Sequence, residues 1–243
     1  MKIAIVETGL VPEAIREAWP DYPAMFEALL TPVDPGLTFS TVSVIKGERL
    51  PDPAGLDGLL ITGSKAGVYE DAPWIPPLLD FIRWAAAEGT PQVGVCFGHQ
   101  AIAQALGGQV IKSPKGWGIG RHVYTVEHRP KWLEPVAETV AVSVSHQDQV
   151  VAPPPGATPL FRSDFTPYAG LVYAHGPAMS IQGHPEYDPA FSNALYGSRL
   201  GNPLTEDEVE TAAASFAQPL DQALLARWIA GFFRAHAKVS GAA

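Results

Sequence analysis

Apolar and polar positions alternate along this chain on two different length scales. In the first hundred residues short apolar runs are separated by longer amphipathic stretches. The runs predict strands at Ile3–Val6, Ser40–Ile45, Gly58–Thr62 and Gln92–Cys96. A helical stretch is predicted around Tyr22–Leu30, and another over Trp74–Glu88, where Leu78, Leu79, Phe81, Ile82, Trp84 and Ala85 fall largely on one face. Strands that alternate with helices indicate an α/β fold whose mostly parallel central sheet is flanked by helices. After Gly107-Gly108 the texture changes. Gln109–Lys112, His122–Glu127, Val140–Ser145, Leu160–Arg162 and Leu171–His175 read as strands with turn residues between them, and antiparallel pairing is expected among several. Val151–Gly156 reads as a proline-rich connector, and Met179–Gln182 as a short buried strand that Gly183 ends.

From Pro189 to His236 the pattern is mostly helical. Leu220, Leu224, Leu225, Trp228, Ile229, Phe232 and Phe233 form an apolar stripe, expected to pack on the sheet rather than to hold a partner. Asn202–Ala214 is more polar and reads as a mobile excursion, and Val239–Ala243 should fray. The expected organisation is one domain over residues 1–243, with the helical segment 189–238 packed on it. No internal repeat is visible.

Composition narrows the functional classes. Apolar residues make up 47% of 243 residues, which is not a disordered composition and is enough for a large core. The net charge of −9 argues against phosphate neutralisation as the main task, so no nucleic-acid partner is expected. No apolar stretch approaches bilayer length, and Met1–Glu7 reads as a first strand, not a signal peptide; no membrane association is expected. One cysteine cannot form an internal disulfide, which fits a cytoplasmic location.

That cysteine lies in Gly94-Val95-Cys96-Phe97-Gly98-His99-Gln100, between an apolar strand and the helix-like Ala101–Leu106. The flanking glycines let the backbone fold tightly there. A helix N-terminus presents unpaired N–H groups and a partial positive charge, both of which favour a thiolate. The layout is the cysteine counterpart of a nucleophile elbow. The alternative is a small buried hydrophobe.

A second motif is Gln182-Gly183-His184-Pro185-Glu186-Tyr187. Pro185 disfavours helical backbone at His184, and in an extended chain residues i and i+2 point the same way. His184 and Glu186 can therefore lie side by side, the carboxylate fixing the tautomer of the imidazole. Taken singly, each residue could be an ordinary surface side chain. Both motifs follow apolar strands, and in parallel α/β sheets reacting groups gather at the carboxyl ends of strands. A cysteine–histidine pair oriented by a third group is the general pattern of covalent acyl chemistry. Other motifs fail on spacing. Gly58–Lys65 has a lysine but not in phosphate-loop order, and Gly116-Trp117-Gly118-Ile119-Gly120 lacks the dinucleotide spacing. His146, Asp148 and His184 lack ligand spacing for a metal. No metal and no cofactor is expected.

The sequence Gly-Val-Cys-Phe-Gly-His-Gln with a downstream His-Pro-Glu resembles the class I, triad-type glutamine amidotransferases, particularly the stand-alone branch similar to the amidotransferase domain of guanylate synthase. Plant γ-glutamyl peptidases lie in the same neighbourhood. The resemblance runs from Met1 to about Tyr187, with support from Leu59–Ser64, Lys115–Gly120 and Ser145–Asp148. It implies a flavodoxin-like architecture, Cys96 as nucleophile, His184 as general base and then acid, and Glu186 as orienting carboxylate. The implied reaction is hydrolysis of the γ-amide of glutamine through a thioester, releasing glutamate and ammonia. The alternative is a stand-alone γ-glutamyl hydrolase; a non-catalytic binding protein is a third reading. The N–H of Phe97 follows the nucleophile and can face the oxyanion, with Gly63 or Ser64 as second donor. Gly63 can equally be an ordinary strand-end turn. The resemblance also implies substrate contacts from Gln100, Ser145 and His146. Gln100 could instead cap the elbow helix, and Asp148 could contact an α-ammonium or stabilise its own turn. No synthetase domain is expected within this length, so ammonia would pass to a separate synthetase subunit unless the protein works alone.

Overall fold

The computed structural model describes residues 1–237, so the fraying expected at Val239–Ala243 lies outside the described residues. A nine-stranded mixed sheet forms the centre. Its parallel half is β1 (Lys2–Glu7), β2 (Thr38–Ser43), β3 (Gly58–Ile61), β4 (Gln92–Val95) and, last in sequence, β11 (Ala178–Ile181), in the order β2-β1-β3-β4-β11. The inner strands β3, β4 and β11 are fully buried because helices cover both faces, whereas β2, at the edge, is polar and mostly unburied. In β1, Ile3 and Ile5 face α1 (Tyr22–Leu30) and α6 (Gln222–Ala235), while Ala4 and Val6 face α2 (Ile75–Ala87) and α3 (Phe97–Ala105).

The other half is antiparallel. Beyond β11 come β10 (Gly170–Tyr173), β9 (Ala157–Arg162), β6 (Gly118–Val126) and β7 (Thr139–His146). The outermost strand curls back. The N–H of His184 donates to Ser143 O at 2.8 Å, so the end of β7 meets the chain leaving β11. Among the described residues no helix is long and apolar enough to cross a membrane.

Four expectations need correction. The strand expected at Ser40–Ile45 ends at Ser43, because Val44–Lys46 coils into a 3₁₀ turn closed by Gly47 at φ 82°, a conformation a glycine adopts without strain. Val151 and Ala152 are not part of a connector. They end β8 (Asp148–Ala152), which pairs antiparallel with β5 (Gln109–Lys112) in a separate two-stranded sheet until Pro153 removes the next donor. The segment read as a mobile excursion holds α5 (Glu206–Ser215). Thr205 and Glu208 cap it reciprocally, and Ala212 is buried beside Tyr196. The strand expected at Leu171–His175 stops at Tyr173, where the chain turns into Gly176 at φ 114°.

The stripe on α6 packs as expected. Trp228 is fully buried, stacks on Phe161 with centroids 5.7 Å apart, and donates its indole N–H to Pro135 O. Trp228→Ala should cost about 3–5 kcal/mol of folding free energy, from lost burial and the cavity left behind. Urea unfolding checks this; a loss under about 1 kcal/mol would mean that the helix is dispensable to the core.

Candidate active site

The sheet brings the two motifs together because β4 and β11 are parallel neighbours, with Val95 beside Ile181. Each strand ends on a motif. Cys96 follows β4 and caps α3, its N–H bonded to Ile181 O at 2.9 Å and its carbonyl accepting from Gln100 N–H at 3.1 Å. Among the described residues Cys96 is the only non-glycine with positive φ (52°), a strained setting of the kind that presents a reacting atom at a sharp turn. The flanking glycines have negative φ; they serve close approach instead. A Cβ on Gly94 would lie 2.4 Å from Gly98 O, and one on Gly98 would lie 2.3 Å from Ile61 O. Strands β3 and β4 and helix α3 can thus pack tightly enough to set the sulfur at the strand ends.

His184 and Glu186 lie side by side, with Nδ1 2.7 Å from Glu186 Oε1. Both side chains are buried. The Cys96 side chain and the His184 ring meet at Gly63 and line the same cavity, and the sulfur acts on the charge of the ring. Tyr187 stacks on the imidazole at 3.9 Å and 3° between planes, and its ring lies 5.8 Å from that of Tyr22. The ring is therefore held on its face by Tyr187 and at one nitrogen by Glu186. Burial alone would push the imidazole down, but the Glu186 carboxylate and the Cys96 sulfur outweigh it and hold its pKa up at about 10. At neutral pH the ring is therefore protonated, with Glu186 at Nδ1 and Cys96 beside it.

Gly63 closes over this group. A Cβ there would stand 2.8 Å from His184 Cε1 and 3.6 Å from Cys96 Cβ, so only glycine fits. Thr8 fixes the turn, with its N–H donating to Thr62 Oγ1 at 3.0 Å and its hydroxyl 3.1 Å from Gly63 O. Among the described residues no backbone acceptor takes the N–H of Gly63 or Ser64. Phe97, the first residue of α3, has no acceptor four residues back within its own helix.

Ser145 and His146 end β7, and with Gln100 they line a cavity of about 300 Å³ on one side of Cys96. Gln100 does not cap the helix. Its Nε2 donates to Asp148 O at 2.9 Å and to Gln182 Oε1 at 3.1 Å, tying α3 to β8. His146 turns Nδ1 toward Asp148 O, and burial keeps the ring neutral, its pKa down at about 3. Asp148 accepts from the hydroxyl of Tyr69 at 3.0 Å. Two participants have no local sequence signal. Arg199 follows α4 (Pro189–Gly197), donates to Ser145 Oγ at 2.7 Å and lies over the Trp117 ring. Tyr22 reaches the site from α1. Only tertiary packing brings them there.

Residues 40–195 match the model of the class I glutamine amidotransferase family. The chain belongs to this family. It is 30% identical to a glutamine amidotransferase-like protein of Schizosaccharomyces pombe, over 95% of this chain and 97% of that one. It is 31% identical to γ-glutamyl peptidase 4 of Arabidopsis thaliana, over 72% of each. The fold is shared with a glutamine amidotransferase from Thermotoga maritima, at a TM-score of 0.74 and 20% identity, covering 96% of this chain and 97% of that one. The family match stops at residue 195, so Arg199 and the α5 and α6 helices stand beyond it.

Proposed function

We propose that this amidotransferase-family chain hydrolyses the γ-amide bond of glutamine or of a γ-glutamyl amide through a thioester on Cys96. The observation that carries the reading is the contact chain from the Cys96 sulfur to His184 and from His184 to Glu186. The Cys96 sulfur, its proton taken up by His184, attacks the γ-carbonyl carbon. The C–S bond forms, and the oxyanion accepts from the N–H of Phe97 and of Gly63 or Ser64; losing one such donor typically costs about 2.7–4 kcal/mol. His184 then gives its proton to the leaving nitrogen, the C–N bond breaks, and ammonia or an amine departs. Neutral His184 takes a proton from water, which attacks the thioester. The C–S bond breaks, glutamate leaves, and the imidazolium–thiolate pair returns. A nucleophilic thiol must stay reduced, which suits the cytoplasm.

The smaller cavity suits the zwitterionic end of the substrate. Ser145 and His146 border it, with Gln100 in its wall and Asp148 and Arg199 offering opposite charges. The described partners of Arg199 are a hydroxyl and a ring, neither of them a carboxylate, which leaves the guanidinium to the substrate's α-carboxylate. Arg199→Gln should raise KM for the γ-glutamyl substrate about tenfold or more, with a smaller change in kcat. A fall in kcat at unchanged KM would contradict that assignment.

Released ammonia would pass to a separate synthetase subunit; a γ-glutamyl peptidase-like hydrolase would need none. The similarity to γ-glutamyl peptidase 4 keeps the second reading open. Glutamate release from glutamine and from γ-glutamyl amides, assayed side by side, tests the function. Release from either that depends on Cys96 supports it, and no release from both opposes it.

A further inference from the structure

Two cavities meet at Cys96. Both are lined by Ser64, Lys65, Ser145 and Arg199. The smaller carries the polar and charged groups described above, and His184 is not in its wall. The larger, about 710 Å³, is lined by His184 and Tyr187, and opens past Val11, Tyr22, Ile45 and Trp74. In the proposed reaction the imidazolium proton goes to the departing nitrogen. The leaving group must therefore exit on the side where His184 stands. Ammonia fills about 30 Å³, the share of one water in the liquid, and needs only a small part of that space.

Apolar side chains continue outward from Ile45 and Trp74. Ile45 and Trp74 also wall an adjoining groove of about 940 Å³, together with Leu50, Phe81 and Trp84. Trp84 is 47% exposed along this path, and Leu10, in the larger cavity's wall, is 46% exposed. The charged residues of the groove, Glu48, Arg49 and Asp80, include both signs, so the groove selects by apolar contact more than by charge. The larger cavity also carries Glu13, Arg16, Lys65 and Glu70, so its apolar contacts are those of Val11, Tyr22, Ile45 and Trp74, and the last two run on into the groove as a joined patch rather than scattered surface hydrophobics.

We infer that the larger cavity and its groove form a leaving-group site, and that the substrate is a γ-glutamyl amide of a bulky amine with an apolar, ring-containing body. The inference rests on the γ-glutamyl thioester reading of Cys96. The glutamyl end occupies the smaller cavity, the scissile C–N bond spans Cys96 and His184, and the amine's body lies along Ile45 and Trp74 toward Trp84. On cleavage the amine leaves as the protonated product of its own nitrogen, and the glutamyl carbon stays on sulfur.

Binding separates this from turnover. In Cys96→Ala protein, which cannot form the thioester, γ-glutamyl-2-naphthylamide should bind at least about tenfold tighter than glutamine. Ile45→Glu in that background should erase most of the difference, and Trp84→Ala, at the exposed outer end, should reduce it without disturbing the core. In wild-type protein kcat/KM for the naphthylamide should exceed that for glutamine by about tenfold or more. Equal or weaker binding of the naphthylamide would overturn the site, whatever the turnover. A binding preference that Ile45→Glu and Trp84→Ala both leave unchanged would overturn it too. If the preference is present and sensitive to both substitutions, yet neither compound acylates Cys96 in wild-type protein, the leaving-group site stands and the hydrolytic reading falls.

Discussion

Cys96→Ala should abolish hydrolysis of γ-glutamyl amides, lowering kcat by about 10⁴-fold or more, while the protein stays folded. Loss of a nucleophile from a unit of this kind removes the covalent route and leaves only binding and oxyanion contributions. The fold should tolerate the change because the side chain is small and the turn is held by backbone bonds. The N–H of residue 96 still reaches Ile181 O, its carbonyl still accepts from Gln100, and Gly98 N–H still reaches Thr62 O. Alanine also relaxes part of the demand for sulfur packing beside His184. Circular dichroism and urea unfolding check the fold, and glutamate release checks the activity. Retained turnover in a folded variant would exclude covalent chemistry at this residue.

His184→Ala should cost about 10⁴-fold or more, and Glu186→Gln about 10²-fold, because proton transfer is lost in the first and only weakened in the second. The glutamine variant can still accept from Nδ1, so the ring keeps its orientation between the residue 186 side chain and Tyr187. What it loses is charge. With the carboxylate gone, the imidazole pKa should drop from about 10 toward the ordinary histidine range. The sign follows from the proton's role. Wild-type kcat/KM should hold through neutral pH and fall as pH rises toward 10, because the leaving nitrogen then finds no proton on His184. In Glu186→Gln that falling limb should move to lower pH. The same raised value links to stability. The charged pairing supports the folded state fully below the ordinary histidine pKa, and that support is lost as pH rises through about 10. A pH–rate profile unchanged by Glu186→Gln would show that the carboxylate only orients, and equal, complete loss in both variants would show that it does more than hold the ring.

How much of this was legible in the sequence depended on the range of the interaction. The parallel half of the sheet could be read because its buried strands are continuous apolar runs between amphipathic helices. The boundary errors sit where a local feature overrode hydropathy. Val44 and Ile45 are apolar like a strand, yet Gly47 turns them into a 3₁₀ coil. In β8 the exposed Val151 and Ala152 beside Pro153 imitate a connector, and only pairing with β5 makes them a strand. The polar surface of α5 suggested mobility, although Thr205 and Glu208 spelled out its capping box.

The site divides along the same line. His184 and Glu186 are two residues apart in extended chain, so their contact could be read directly. The meeting of Cys96 with His184 followed from two strand ends and needed only that β4 and β11 be parallel neighbours. Gly94 and Gly98, read as letting the backbone fold tightly, do so through close approach at negative φ. Tyr22 comes from a helix far away in sequence, and Arg199 reaches back to Ser145 from beyond α4. Neither leaves a periodic or motif signal, and both line the cavity that holds Cys96 and His184.

The central claim is a γ-glutamyl thioester on the sulfur of Cys96. Its most direct measurement is intact-protein mass spectrometry after acid quench of the enzyme mixed with glutamine or a γ-glutamyl amide, followed by peptide mapping. The account predicts a γ-glutamyl increment on the peptide containing Cys96, absent in Cys96→Ala and prolonged when His184 is replaced after acylation has been forced with an activated substrate. Hydrolysis that proceeds with no such adduct at any quench time, or an adduct on another residue, would contradict it.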